Sequence, residues 1–172
     1  MPNVRRLLAR GVRFENLWSN PLCSPTRSGI ITGRYSFRTG VGDAIGGMGE
    51  TELDTGEITI PRILKRSNPN IATANIGKWH LQAPSPKTNW KYPNLMGYDH
   101  YAGNFVGTLP SYYSYMHIIN GVGNTSTNYA TTEQVDEAAS WVKSQKDKPF
   151  FLWLAFNAPH TPYHLPPAGL HS

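Results

Sequence analysis

Phe150-Phe151-Leu152-Trp153-Leu154-Ala155-Phe156 is the stretch whose reading decides the fold class. Seven consecutive apolar residues are too few to span a bilayer and too few for an ordinary buried helix, so they read as a strand. With no polar alternation, both faces of that strand are expected to be covered, which places it in a sheet with helices on either side. Pro149 stops the element before it. That element is a predicted helix over 132–144, with Val135, Ala138, Ala139 and Val142 on one face. Further upstream, 60–66 predicts a helix with Pro61 in its first turn, and 71–76 predicts a short strand. The expected fold is α/β: a mixed, largely parallel sheet flanked by helices on both faces.

Working outward to the N-terminus, 2–10 reads as a short amphipathic helix. Val4, Leu7 and Leu8 share a face, arginines lie opposite, and Gly11 is a stop. Residues 12–18 alternate as a strand and lead through Ser19-Asn20-Pro21 into a turn. A helix is expected over 25–32, ended by Gly33. Glycine and short polar residues make 40–56 an irregular loop, and 82–128 is dense in Pro, Gly, Asn and Tyr with little periodicity. No internal repeat or linker divides the 172 residues, which amount to one domain.

Composition narrows the function. With 39% hydrophobic residues, five Trp and nine Tyr, the chain has the means to build a core. Its single cysteine excludes an internal disulfide and leaves the redox compartment open. Met1-Pro2-Asn3-Val4-Arg5-Arg6 is not followed by the apolar region of a signal peptide, and the compartment stays open on that count too. A net charge of +5 raises the question of nucleic acid. The clusters Arg5, Arg6, Arg10, Arg13 and Lys143, Lys146, Lys148 read instead as solvated helix faces. No zinc-ligand spacing, aromatic–basic RNA motif or recognition-helix pattern accompanies them, so neither nucleic acid nor a membrane is an expected partner. A mildly basic surface does favour the approach of an anionic substrate.

Three islands carry candidate chemistry. The first is Pro21-Leu22-Cys23-Ser24-Pro25-Thr26-Arg27-Ser28-Gly29-Ile30-Ile31-Thr32-Gly33. A lone thiol is ordinarily a small buried hydrophobe. Here it lies where a loop enters a helix, and the first-turn N–H groups and Arg27 direct positive charge back toward it. The second is Gly77-Lys78-Trp79-His80-Leu81, at the end of a predicted strand, where α/β sheets place ligand-binding side chains. Period two puts Lys78 and His80 on one side. The third is Ala158-Pro159-His160-Thr161-Pro162-Tyr163-His164, directly after the apolar strand. A histidine between two prolines could equally be a rigid turn with an exposed ring.

Cys-x-Pro-x-Arg followed by an apolar pair and Thr-Gly resembles the signature of the type I sulfatases, within the alkaline phosphatase superfamily. Gly-Lys-Trp-His resembles that family's second signature, although Asn70-Ile71 stands where it usually opens with Gly-Tyr or Gly-Val. Pro-His-x-Pro after a buried strand is also similar to the family, and the three islands occur in its order. The resemblance implies an arylsulfatase-like sulfuric ester hydrolase in which Cys23 is oxidised after translation to formylglycine, whose hydrate attacks sulfur. It implies that Arg27 holds the hydrate and Lys78 binds a sulfuryl oxygen. His160 would protonate the departing oxygen, with His164 as its nearest rival, and His80 would contact the second hydroxyl of the hydrate. The implied partners are a sulfated small molecule or sulfated glycan and a formylglycine-generating maturation enzyme. Two other readings stay open: a phosphonate or phosphodiester hydrolase of the same superfamily, and a non-catalytic anion-binding remnant.

The family also binds a divalent cation, usually Ca2+, through hard oxygen ligands. Its Asp-Asp pair lies on a first strand and its Asp-Asn pair well downstream of Pro-His. This sequence contains neither dipeptide, and Asp43, Asp54 and Asp99 are isolated in predicted loops. Cys23, as formylglycine, is the one candidate metal ligand that the resemblance leaves. The expectation is an incomplete, single partial catalytic domain over 1–172, lacking the first metal-binding strand and the C-terminal half.

Overall fold

The computed structural model describes residues 2–46, 51–83 and 89–171. Part of the irregular loop expected over 40–56 and part of the aperiodic 82–128 lie outside them. The elements run α1 (Pro2–Leu8), α2 (Cys23–Thr32), α3 (Ser36–Thr39), α4 (Ile60–Ser67), β1 (Ala72–Lys78), α5 (Tyr92–Leu95), β2 (His100–Asn104), β3 (Tyr115–Ile119), β4 (Val122–Ser126), α6 (Ala130–Gln145) and β5 (Phe150–Ala155).

The five strands form one mixed sheet in the order β4-β3-β2-β1-β5. β1 pairs in parallel with both β2 and β5, whereas β2–β3 and β3–β4 are antiparallel. Helices cover both faces, as the apolar run predicts. Phe151 and Trp153 of β5 pack with Ile31 of α2, Trp79 and Tyr101 on one side, while Leu152 and Leu154 pack with Ala138 and Trp141 of α6 on the other. The alternation along β5 therefore divides two apolar layers between two different cores.

Complete burial of that run does not hold. β5 is an edge strand, Phe150 is 44% exposed, and Ala155 is the one residue of the strand that is buried. The face of α6 also differs from the expected one. Ala130, Gln134 and Ala138 are buried and Trp141 packs beside them, whereas Val135 and Ala139 point outward. The reason is polar: the Gln134 amide donates to Asn157 Oδ1 at 2.7 Å, which turns the helix toward the loop after β5.

Toward the N-terminus, the strand expected over 12–18 is absent. Those residues are irregular and exposed, because alternation makes a strand only when a neighbouring ladder accepts its hydrogen bonds. Helix α1 forms, but Val4, Leu7 and Leu8 face solvent. The aperiodic middle contains a hairpin that its composition conceals. β3 and β4 are joined by Asn120-Gly121, both at positive φ (47° and 92°), the conformation of a two-residue type I′ turn. Among the described residues, no helix is long and apolar enough to cross a membrane.

Candidate active site

The site gathers where β1 ends. Gly77 sits between β2 and β5 with φ +104°, and a Cβ there would lie 2.1 Å from the Ala155 carbonyl oxygen. Only glycine lets the three backbones approach this closely. Beyond it the chain places Trp79 fully in the core, tied by its N–H to the Asn104 carbonyl at 2.8 Å. Lys78 and His80 flank that anchor and are both buried. His80 adopts φ +53°, an uncommon conformation for a residue with a Cβ, and its carbonyl accepts the Ser24 hydroxyl at 2.7 Å. Ser24 in turn accepts the Ile45 N–H at 3.1 Å, so the strand end, the start of α2 and the following loop are locked together.

Helix α2 begins at Cys23 itself, two residues earlier than expected, with Leu22 as its N-cap. The half-buried thiol therefore lies in the first turn, where unpaired N–H groups favour negative charge. Its Sγ is 2.9 Å from His80 Nδ1. The other ring nitrogen, Nε2, lies 2.7 Å from the Ile45 carbonyl, which can only accept. Nε2 therefore carries the hydrogen in the neutral ring, and Nδ1 presents a lone pair to residue 23. Burial, assisted by the charge of Lys78, lowers the His80 pKa to about 4, so the ring is neutral at physiological pH.

Two cations complete the cluster. Arg27, one turn along α2, donates to the Lys78 carbonyl at 2.6 Å and lies over the Trp153 ring at 5.6 Å. Lys78 Nζ donates to the Gly107 carbonyl at 2.6 Å. Burial pulls both pKa values down, and the proximity of Cys23 pulls both back up. Both cations therefore lie within electrostatic reach of residue 23. Gly107 is itself held close: a Cβ there would lie 2.5 Å from His80 Cε1.

Cys23, Arg27, Lys78 and His80 thus meet. His160 stands at the exposed rim, and its charge is among those that depress His80. Its N–H donates to the Asn157 carbonyl at 3.0 Å, its carbonyl accepts the Tyr112 hydroxyl at 2.9 Å, and its Nδ1 faces Thr161. The rival His164 is engaged elsewhere. It stacks on Tyr112 with centroids 4.0 Å apart, and its nitrogens meet Tyr129 Oη at 3.0 Å and the Pro162 carbonyl at 3.1 Å.

Ser24, Ile45, Gly107, Tyr112, Trp153 and Asn157 were not identified from the sequence. Ile45, Gly107 and Asn157 act here through backbone carbonyls, which every residue has, so no residue type announces them. Nor do the described residues form a cation site: no group of three or more His, Cys, Asp or Glu is placed to hold a metal ion. The neighbours of Cys23 are the cations Arg27 and Lys78 and the single acceptor nitrogen of His80, which do not fit a calcium ion that takes six to eight oxygens.

Comparison with known proteins identifies the family. The family model described as Sulfatase matches residues 1–168. Mouse arylsulfatase J is 29% identical over 96% of this chain and 29% of its own length. An N-acetylglucosamine-6-O-sulfatase of Bacteroides thetaiotaomicron is 28% identical over 92% of this chain and 26% of its own length. A structure solved in complex with its substrate, D-glucosamine-2-N,6-O-disulfate, superposes with a TM-score of 0.72 at 29% identity, covering 92% of this chain and 29% of that one. The chain thus spans less than a third of each of these three proteins. The family model covers nearly the whole chain, and the chain belongs to the sulfatase family.

Proposed function

We propose that this chain carries the nucleophile and the sulfate cradle of a sulfuric ester hydrolase. The reaction converts R–O–SO3− and water into R–OH and hydrogen sulfate. The observation that carries the reading is Cys23 in the first turn of α2, 2.9 Å from a neutral, oriented His80 and beside Lys78 and Arg27.

The family is generally formylglycine-dependent, and the surroundings of Cys23 suit that modified residue. A geminal diol in place of the thiol would find an acceptor in His80 Nδ1 and positive charge in Arg27 and Lys78. When formed, that residue supplies a nucleophilic hydroxyl and a second hydroxyl through which it is regenerated. Arg27 holds residue 23 in place. Lys78, a compact point charge, binds a sulfuryl oxygen and offsets the negative charge that repels a nucleophile. His160 gives a proton to the departing oxygen at the rim, and His80 accepts one through Nδ1 at the floor.

Sulfated small molecules or sulfated glycans are the substrate class; the solved neighbour's sulfated glucosamine substrate supports it. A maturation enzyme that oxidises Cys23 is the implied partner. The family is also generally calcium-dependent. Cys23, once converted, would supply one ligand at most. The 172 residues alone are expected to turn over little or no substrate, and robust calcium-independent turnover by them would overturn that expectation.

Cys23→Ser tests the central claim. Serine offers one hydroxyl and no second one from which His80 can take the proton that releases sulfate. Release of R–OH should stop at one equivalent per site, with the sulfuryl group left on the serine oxygen, in a protein otherwise competent for many rounds. Undiminished multiple turnover by the serine variant would sink the formylglycine reading, and sulfate binding without turnover by the matured protein would favour the anion-binding one.

A further inference from the structure

Asn104, Gln134 and Asn157 are buried amides with no duty in the reaction described above. Asn157 Oδ1 accepts both from Asn104 Nδ2 and from Gln134 Nε2, each at 2.7 Å, which ties the end of β2, helix α6 and the loop after β5 into one knot. The same Asn104 holds Trp79 through its carbonyl, so the knot is anchored to the residue between Lys78 and His80. Asn157 presents its own carbonyl to the His160 N–H at 3.0 Å. From the opposite side Tyr112, 1% exposed, donates its hydroxyl to the His160 carbonyl at 2.9 Å. Both backbone polar groups of His160 are therefore gripped by buried groups, although its side chain is exposed. The ring of Tyr112 is fixed in its turn by His164 stacked on it, and the Tyr112 carbonyl accepts the Ala130 N–H at 2.8 Å.

We propose that Tyr112, with Asn157 opposite it, is a positioning residue that holds His160 in line with the departing oxygen of the substrate. This rests on the reading of His160 as the proton donor. A proton donor on an exposed loop loses effect when its backbone drifts, because transfer requires hydrogen-bond reach in the transition state. The Tyr112 hydroxyl limits that drift without touching substrate. The consequence is selective. A leaving group of low pKa departs without much help, whereas an unactivated phenol or an alcohol depends on protonation.

The test uses the matured, cation-loaded protein that carries this sequence and a series of sulfate esters running from 4-nitrophenyl sulfate through phenyl sulfate to an alkyl sulfate. Tyr112→Phe removes one hydroxyl and keeps the stacked ring. It should lower kcat for the alkyl and phenyl esters by about tenfold, a fraction of the 10²–10⁴ that a general acid contributes. It should leave 4-nitrophenyl sulfate within about twofold and KM little changed. Tyr113→Phe removes a hydroxyl that reaches the Leu165 carbonyl instead, and its series should match the parent's. A Tyr112→Phe loss equal across the series, or none at all, overturns the proposal. His160→Ala separates the positioning role of Tyr112 from proton donation by His160. It should steepen the leaving-group dependence further, and a flat response there would remove the proton-donor reading itself. A measurement free of any variant is amide exchange: the His160 N–H should be protected in the parent protein, and exchange at the unprotected rate overturns the clasp.

Discussion

Trp18 and Trp79 both stand close to the site in sequence, five residues before Cys23 and one before His80, yet Trp18 is 90% exposed and Trp79 is 0% exposed. The difference lies in what the backbone beside each can pair with. Trp79 leaves a strand flanked by two parallel neighbours, and its N–H continues the ladder to Asn104. Trp18 follows a segment of similar apolar content, with Val12, Phe14 and Leu17 all exposed and no strand pairing among the described residues. An apolar pattern becomes an element only where a ladder and a facing layer receive it. The candidate site follows the same line: Lys78 and His80 are fixed to the paired region, and His160, the proposed proton donor, is joined to it by a buried knot.

Breaking the paired region should have the largest effect. Gly77→Val places a branched side chain where even a Cβ would lie 2.1 Å from the Ala155 carbonyl, at a φ of +104° that side chains avoid. Overlap and backbone strain together are expected to cost more than about 4 kcal/mol. The protein should then fail to give a cooperative unfolding transition in urea, and a midpoint near the parent's would show that β1 and β5 separate easily. Trp79→Ala is the next test. Emptying a fully buried indole position costs about 3–5 kcal/mol in other cores, and the same denaturant titration should show a loss in that range. A loss under about 1 kcal/mol would mean that the anchor between Lys78 and His80 is not the indole.

The paired region was the more legible part of the sequence, and for a physical reason. β1, α4, α6 and β5 announce themselves by local runs and periods, so their existence was readable and only their ends and faces shifted. The sheet's antiparallel half was not. Tyr115–Ile119 is almost wholly apolar and Val122–Ser126 almost wholly small or polar, so neither alternates, and β4 has no buried residue. The Asn120-Gly121 pair was the signal available there, and it needed a hairpin hypothesis to give it weight. At the site, the Lys78, His80 and Arg27 positions were readable because side-chain identity carries their chemistry. The tautomer of His80 was not, since it depends on the carbonyl of Ile45, a residue 35 positions away.

A polar joint between the legible helix and the hidden hairpin offers a finer probe. Glu133, in the first turn of α6, accepts hydrogen bonds from Tyr115, from Ser126 at 2.7 Å and from Asn128 at 2.9 Å. Burial pushes its pKa up, but those hydrogen bonds and the charge of His117 outweigh burial and hold the carboxyl below its usual value of 4.5. The folded protein thus keeps Glu133 ionised at pH values where the unfolded chain already binds a proton. The stability from this difference is fully present above about pH 4.5 and is lost as pH falls through the lower folded value. Glu133→Gln should destabilise the protein by roughly 1–2 kcal/mol at neutral pH and flatten the acid side of its stability profile. Parallel acid profiles for parent and variant would show that the joint carries no ionised carboxylate.

The smallest effect is expected on the other side of the comparison. Trp18 is an exposed indole on an irregular segment, and it stands at the lip of a cavity of about 480 Å³ with Asn20, Ile30 and Tyr35. A solvated side chain with no core contacts contributes little to the folded state, so Trp18→Ser should shift stability by no more than about 0.5 kcal/mol. The same is expected of Leu17→Ser, 82% exposed in the parent. The pair sharpens the contrast with Trp79→Ala because similar apolar groups are removed and only the context differs. A loss approaching that of Trp79→Ala would show that residues 12–18 are covered in solution, and that their alternation does describe a paired strand there.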